Sequence, residues 1–203
     1  MSSEIEKFKN ALLEKRKKFE KNEQSDGSDV LSSSSESGAE DTDDEIRMCR
    51  PGGYHGAKEG DQLFNKYKLE KKLGRGHFST VWKALEMASG KEVAIKIQKS
   101  SKSYREAAME EVEVHKYLSR KDGHANLNLL LYNNILKGAN GMHACLVFPL
   151  MEMNLADFCK QFEGERIPLT KMSEIAYQLL SGTRYMHSKG VIHTDIKPEN
   201  ILV

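Results

Sequence analysis

No apolar run in this sequence is long enough to span a bilayer, and the opening Met1-Ser2-Ser3-Glu4 lacks the apolar core of a secretory leader. Cysteine is scarce. Cys49, Cys145 and Cys159 are odd in number and lack metal-ligand spacing, so they read as reduced thiols of a protein in the cytoplasm and nucleus. A strong net charge of either sign is also missing. The formal charge is +1, which implies no global pull toward nucleic acid or an acidic membrane. No direct nucleic-acid partner and no membrane partner are therefore expected.

Lys and Arg are absent from residues 25–45, a stretch rich in Ser and acid. Such a segment cannot bury enough apolar surface to offset the entropy of ordering, so residues 25–46 read as a disordered linker. Within it Ser33, Ser37 and Thr42 each precede an acid by three residues, a pattern open to acid-directed phosphorylation or to plain solvation. Residues 1–24 ahead of it form a charged amphipathic arm. There Ile5, Phe8, Leu12 and Phe19 fall near one helical stripe, and Lys15-Arg16-Lys17-Lys18 sits inside it. A solvated helix or disordered arm, a partner-binding helix and a nuclear-import signal all fit that pattern.

What is present in strength is a set of phosphate-handling motifs. Val191-Ile192-His193-Thr194-Asp195-Ile196-Lys197-Pro198-Glu199-Asn200-Ile201-Leu202 carries the spacing of a phosphoryl-transfer catalytic loop. Asp195 would orient the attacking hydroxyl and accept its proton. Lys197 would neutralise charge on the transferred phosphoryl, and Asn200 would present a side-chain oxygen to magnesium. Upstream, Leu73-Gly74-Arg75-Gly76-His77-Phe78-Ser79-Thr80-Val81 reads as a glycine-rich phosphate loop, with Ser79 where a third Gly is common. Glycine lets the backbone approach phosphates closely, and Val81 would cover the adenine. Alone, such a loop also fits an ordinary turn. Val93-Ala94-Ile95-Lys96 follows it, and Lys96 would contact the α- and β-phosphates.

Lys96 needs an acidic partner. The helix-like segment 104–118 offers Glu106, Glu110, Glu111 and Glu113. Glu111 shares a face with Ala107, Ala108, Val114 and Leu118, the stripe expected to pack on a sheet, whereas Glu110 and Glu113 read as solvated. A carboxylate on a packed face is costly unless paired, which favours Glu111 over the other three.

Strand-like runs begin at Tyr67–Lys72 and recur at Thr80–Leu85, Glu92–Gln98, Leu127–Leu136 and Met142–Phe148. With one helix they predict an α+β lobe over residues 47–148. From 149 to 203 the pattern turns helical. Asn154 is placed to cap a short helix, Thr170 to start a longer one with Met172, Ile175, Ala176, Leu179 and Met186 inward, and Gly190 to end it. Leu146-Val147-Phe148-Pro149-Leu150-Met151 between them reads as a hinge. The Pro149 carbonyl and Met151 amide would contact adenine, with Phe148 guarding the pocket behind.

The text Cys49-x-x-Gly52-Gly53-Tyr54-His55, Gly60-Asp61, Gly76-His77-Phe78-Ser79-Thr80-Val81-Trp82 and His193 to Leu202 resembles the SR-protein-specific kinases. The resemblance covers roughly 47–203. The His-Thr-Asp triplet is shared with the LAMMER kinases, but the Gly-Gly-Tyr-His lead-in and the loop favour the former. The resemblance implies a protein-kinase-like fold: a complete small lobe, with only the first helices and catalytic loop of the large lobe. It also implies Ser/Thr phosphorylation of Arg-Ser-rich proteins with ATP and Mg2+, by an enzyme that is a monomer when complete. Leu73, Ala94 and Leu202 join the nucleotide contacts on the same footing.

Two departures carry consequences. Thr194 stands where most kinases place Arg, so a phosphorylated activation loop would find no cation there. The resemblance then implies activity without such phosphorylation. No Asp-Phe-Gly follows Asn200, so the main magnesium ligand of the family is missing from these residues. The chain is expected to be an incomplete representation of an active kinase. The alternative is a truncated, non-catalytic ATP-binding or partner-binding regulator.

Overall fold

A computed structural model describes residues 2–22, 50–120 and 123–203. The acidic linker, with Ser33, Ser37 and Thr42, lies outside the described residues, as do Cys49 and the side chains of Arg16, Lys18 and Phe19.

Six antiparallel strands form one sheet in the order β1-β2-β3-β4-β6-β5. They are β1 (Gln62–Leu63), β2 (Tyr67–Arg75), β3 (Ser79–Glu86), β4 (Lys91–Gln98), β5 (Tyr132–Gly138) and β6 (Gly141–Pro149). Period-two side-chain alternation decides what each face buries. On one face Val93, Ile95 and Ile97 of β4 join Leu69, Trp82, Ala84, Cys145 and Val147 in the main core. On the other, Ala144 and Leu146 of β6 pack with Ala108 and Val112 of the helix α2 (Lys102–Leu118). Lys96 belongs to this second face, because it alternates with Ile95 and Ile97 and stands opposite Leu146 in register. Cys145 is buried and unpaired, and desolvation pushes its thiol up to about 12. It behaves as a small core hydrophobe.

The apolar run from Leu127 does not pair from its first residue; β5 begins at Tyr132. Residues 127–129 turn instead toward the long helix α4 (Leu169–Ser188). Gly182 of that helix permits the approach: a Cβ there would meet the Asn126 carbonyl oxygen at 2.8 Å. The packed stripe of α2 also differs in detail from the periodicity. Ala107 is exposed, while Val112 and Tyr117 are buried.

Asn154 caps the short helix α3 (Leu155–Cys159), its side-chain oxygen accepting the Asp157 amide at 2.8 Å. The longer helix α4 starts at Leu169, with Pro168 at its N-cap, rather than at Thr170. Met186 is buried, and Met172, Ile175, Ala176 and Leu179 are half-buried as its inward stripe. At its end Gly190 takes the left-handed conformation (φ +71°) that a side chain would resist, and its amide bonds the His187 carbonyl at 2.9 Å.

The amino-terminal helix α1 (Ser2–Asn22) is packed against the lobe. Phe8 stacks on Tyr117 of α2 with ring centroids 3.8 Å apart. Lys15 pairs with Glu113 at 3.1 Å, and Ile5 lies against Gly190. The α2 face bearing Glu113, expected to be solvated, is the face that receives α1. Among the described residues no helix is long and apolar enough to cross a membrane.

Candidate active site

The site is assembled where β4, α2 and the loop after α4 converge. Lys96 Nζ lies 2.9 Å from both carboxylate oxygens of Glu111. The pleat sets the lysine facing α2, and helical spacing sets Glu111 facing the sheet. Both side chains remain about a third exposed, so the pair opens onto a cleft instead of being sealed in the core.

That cleft has a volume of about 1160 Å³. Of the residues singled out by sequence, Lys96, Glu111, Phe148, Pro149, Met151, Asn200 and Leu202 line it together. His115, Leu129 and Ile175 line it too, although no motif pointed to them. His115 packs edge-on against Phe148 at 5.2 Å, and burial lowers its pKa.

The catalytic-loop residues form a small polar cluster beside the cleft. Asn200 donates its amide to the Asp195 carboxylate at 2.8 Å and to the Asp195 carbonyl at 2.9 Å. Lys197 Nζ approaches the same carboxylate at 3.0 Å. The Lys197 hydrogen bond, helped by Asn200, holds the Asp195 carboxyl below its ordinary range. Thr194, a β-branched residue, sits at φ +68°, a conformation such residues rarely adopt. That turn brings the Asp195 amide to 3.3 Å from His193 Nδ1. The loop is fastened under the hinge. The Leu155 amide bonds the Ile201 carbonyl at 2.7 Å, the Val203 amide bonds Met153 at 2.9 Å, and Asn154 bridges Leu202.

The glycine loop closes the β2–β3 hairpin on the small lobe. Leu73 and Phe78 are exposed, Val81 pairs in register with Lys96, and Ala94 pairs with Phe148. Ser79 is buried, so its contribution to the loop is backbone: its carbonyl accepts the Gly76 amide at 2.9 Å. Neither Gly74 nor Gly76 has a positive φ. A Cβ at Gly74 would meet nothing within 4 Å, and one at Gly76 only the Ser79 oxygen at 4.0 Å. Neither backbone conformation nor internal packing therefore demands glycine at these two positions. Open space above both leaves room for a ligand approaching the backbone. The cleft lining does not extend to this loop, nor to Asp195 and Lys197.

A metal is tested by its donors. Among the described residues no three His, Cys, Asp or Glu side chains cluster to hold one. Asp195 and Asn200 instead offer adjacent oxygen-bearing side chains. Such a set suits a hard cation that takes its remaining ligands from phosphate and water.

The protein kinase domain family matches residues 67–203. The chain is 40% identical over 173 residues to the serine/threonine-protein kinase SKY1 of Saccharomyces cerevisiae, covering 81% of this chain and 23% of that protein. It is 41% identical over 168 residues to the serine/threonine-protein kinase SRPK of Physarum polycephalum, with 80% and 39% covered. To human SRSF protein kinase 3 it is 35% identical over 169 residues, with 81% and 30% covered. The chain thus spans well under half the length of these relatives. The crystal structure of the PF14_0431 kinase domain superposes with a TM-score of 0.65 at 25% identity, covering 74% of this chain and 43% of that one. An antiparallel small lobe, a Lys96–Glu111 pair and the loop bearing Asn200 meeting at one cleft agree with these likenesses: the chain belongs to the protein kinase family, and within it is similar to SRPK and SRSF protein kinase 3.

Proposed function

We infer that the protein transfers the γ-phosphate of ATP to serine in Arg-Ser-rich protein substrates. One observation carries this reading. Asn200, bonded to Asp195, lines the same cleft as the Lys96–Glu111 pair. Adenine would enter at the hinge between Leu73, Ala94 and Leu202, with Phe148 behind it. Its phosphates would run beneath Gly74–Val81 toward Lys96. Glu111 fixes the lysine so that its charge is already aimed when the nucleotide arrives, which is electrostatic preorganisation. Asp195, kept ionised by Lys197 and Asn200, would accept the proton of the substrate hydroxyl. Lys197 would stabilise charge on the phosphoryl group in transit. Magnesium, held in part through Asn200, would supply neutralisation of phosphate charge.

The Arg-Ser preference rests on likeness to the SR-protein kinases alone. Thr194 adds a regulatory corollary: with no cation before Asp195, phosphatase treatment should leave activity intact, and abolished activity would contradict it. The direct test is phosphate transfer to an Arg-Ser repeat peptide by the full-length protein. Asp195→Ala should lower the rate by about 10²–10⁴-fold while nucleotide binding persists. An unchanged rate in that variant would overturn the assignment. Nucleotide binding without any transfer would favour a regulator.

A further inference from the structure

The lead-in 50–55 lies outside the residues assigned to nucleotide or catalysis, yet it is bound on three sides. The Gly53 carbonyl accepts the Ser100 amide at 2.9 Å, and Gly52 accepts the Ser101 amide at 3.2 Å, at the root of α2. Asn140, in the β5–β6 turn, donates to the Tyr54 carbonyl at 2.8 Å, and Ser100 Oγ donates to the Asn140 carbonyl at 2.8 Å. From this anchored strap the Tyr54 hydroxyl reaches across and donates to the Gly76 carbonyl at 2.7 Å, with the His77 carbonyl at 3.4 Å. Lys99 Nζ lies 4.4 Å from the Tyr54 ring centroid and the Arg75 guanidinium 5.8 Å from it. Lys99 also bonds the loop directly, its amide donating to the Phe78 carbonyl at 2.9 Å.

We propose that Tyr54 is a positioning residue that holds the glycine loop in its nucleotide-ready shape. The inference rests on the ATP-binding reading of that loop. The loop tip needs such a holder. Gly76, His77 and Phe78 are exposed, and glycine has more backbone freedom to lose than any other residue. Ordering the tip on a nucleotide costs conformational entropy at the moment of binding. A hydroxyl that already fixes the Gly76 carbonyl lowers that cost, and affinity gained this way is preorganisation. Tyr54 and Lys99 use only carbonyls of the loop, so the amides of His77 and Phe78 can still turn to phosphate while the Gly76 amide stays on Ser79.

The test is the dissociation constant of MgATP and the KM for ATP in the full-length protein. Tyr54→Phe keeps the ring beside Lys99 and removes only the hydroxyl. It should weaken MgATP binding and raise KM for ATP by about three- to tenfold, the span of one hydrogen bond. KM for the peptide substrate and the melting temperature should stay unchanged. If Tyr54→Phe binds MgATP like the wild type, the proposal is overturned. A loss seen with Tyr54→Ala but not with Tyr54→Phe would overturn it as well, by assigning the effect to the ring. Should Tyr54→Phe lose stability, Asn140→Ala serves instead, because it removes the tie on the Tyr54 backbone itself and leaves the hydroxyl in place. A weaker MgATP affinity there supports the tether, and an unchanged one contradicts it. Wild-type protein that fails to bind MgATP would sink the ATP-binding reading itself, a separate failure.

Discussion

Lys96 and Glu111 set the residue scale. Each is one-third exposed and each holds the other at 2.9 Å, so the pair is accessible to a ligand and still fixed in place. Replacing Lys96 by Met should cut phosphate transfer by about a hundredfold or more, since a preorganised donor to developing charge is lost. The far-ultraviolet circular dichroism spectrum should not change, because the position is not part of either core cluster. Asp195 is likewise held by its neighbours. Its carboxyl is held low chiefly by Lys197, so the acidic limb of the kcat/KM profile should fall below the ordinary carboxylate range. In Lys197→Gln that limb should move to higher pH in addition to the drop in kcat. A profile that keeps its shape would show that Lys197 does not set the ionisation of Asp195.

At the scale of elements, the strap and the amino-terminal helix are the parts that sequence left open. The His193–Asn200 motif stood out in the sequence because the chemistry proposed for it fixes both residue type and spacing. The choice of Glu111 was legible because sheet and helix periodicities each select one face. The destination of α1 was not. Ile5, Phe8 and Leu12 form a stripe, but a stripe says only that something covers it. Here the cover is Tyr117 of the same chain. Phe8→Ala should destabilise that docking by about 1 kcal/mol or more through the lost stack. Hydrogen exchange should report it as reduced protection in α1 with β2–β4 unaffected; equal protection would deny the contact any weight. The start of β5 was misjudged for a related reason. Leu127–Leu131 has a strand's composition, yet its first residues are taken by α4 across Gly182, a tertiary contact that local pattern cannot encode.

The strap is also fixed by a contact between half-buried His55 and buried His143. His55 and His143 meet edge to face at 4.9 Å, and His143 Nδ1 lies 2.8 Å from the Gln98 carbonyl. Burial lowers both pKa values, and Asp61 only partly offsets the shift at His55. Between the folded and unfolded pKa values the unfolded chain binds more protons, so stability rises with pH there. The contribution is complete above the unfolded value near 6.5 and is lost as pH falls below it. The urea midpoint should therefore drop between pH 7.5 and 5.5, with His115 adding in the same sense. A flat midpoint across that range would contradict the burial of uncharged imidazoles.

The described residues form a small lobe followed by helices α3 and α4 and the His193–Asn200 loop, and the sheet carries two cores, one purely structural and one shared with the cleft. Helix α4 and the loop after it bring Asn200 and Leu202 to the hinge, and α1 spans from α2 to the Gly190 turn behind them. In this arrangement Lys96 and Asn200, 104 positions apart in sequence, face one space. This space should receive ATP. A crystal structure of the protein with magnesium and a non-hydrolysable ATP analogue tests it most directly. The purine should lie against Phe148, Pro149 and Met151, and the phosphates between Gly74–Gly76 and Lys96, with a cation at Asn200. Nucleotide bound elsewhere, or phosphates out of reach of Lys96, would contradict it.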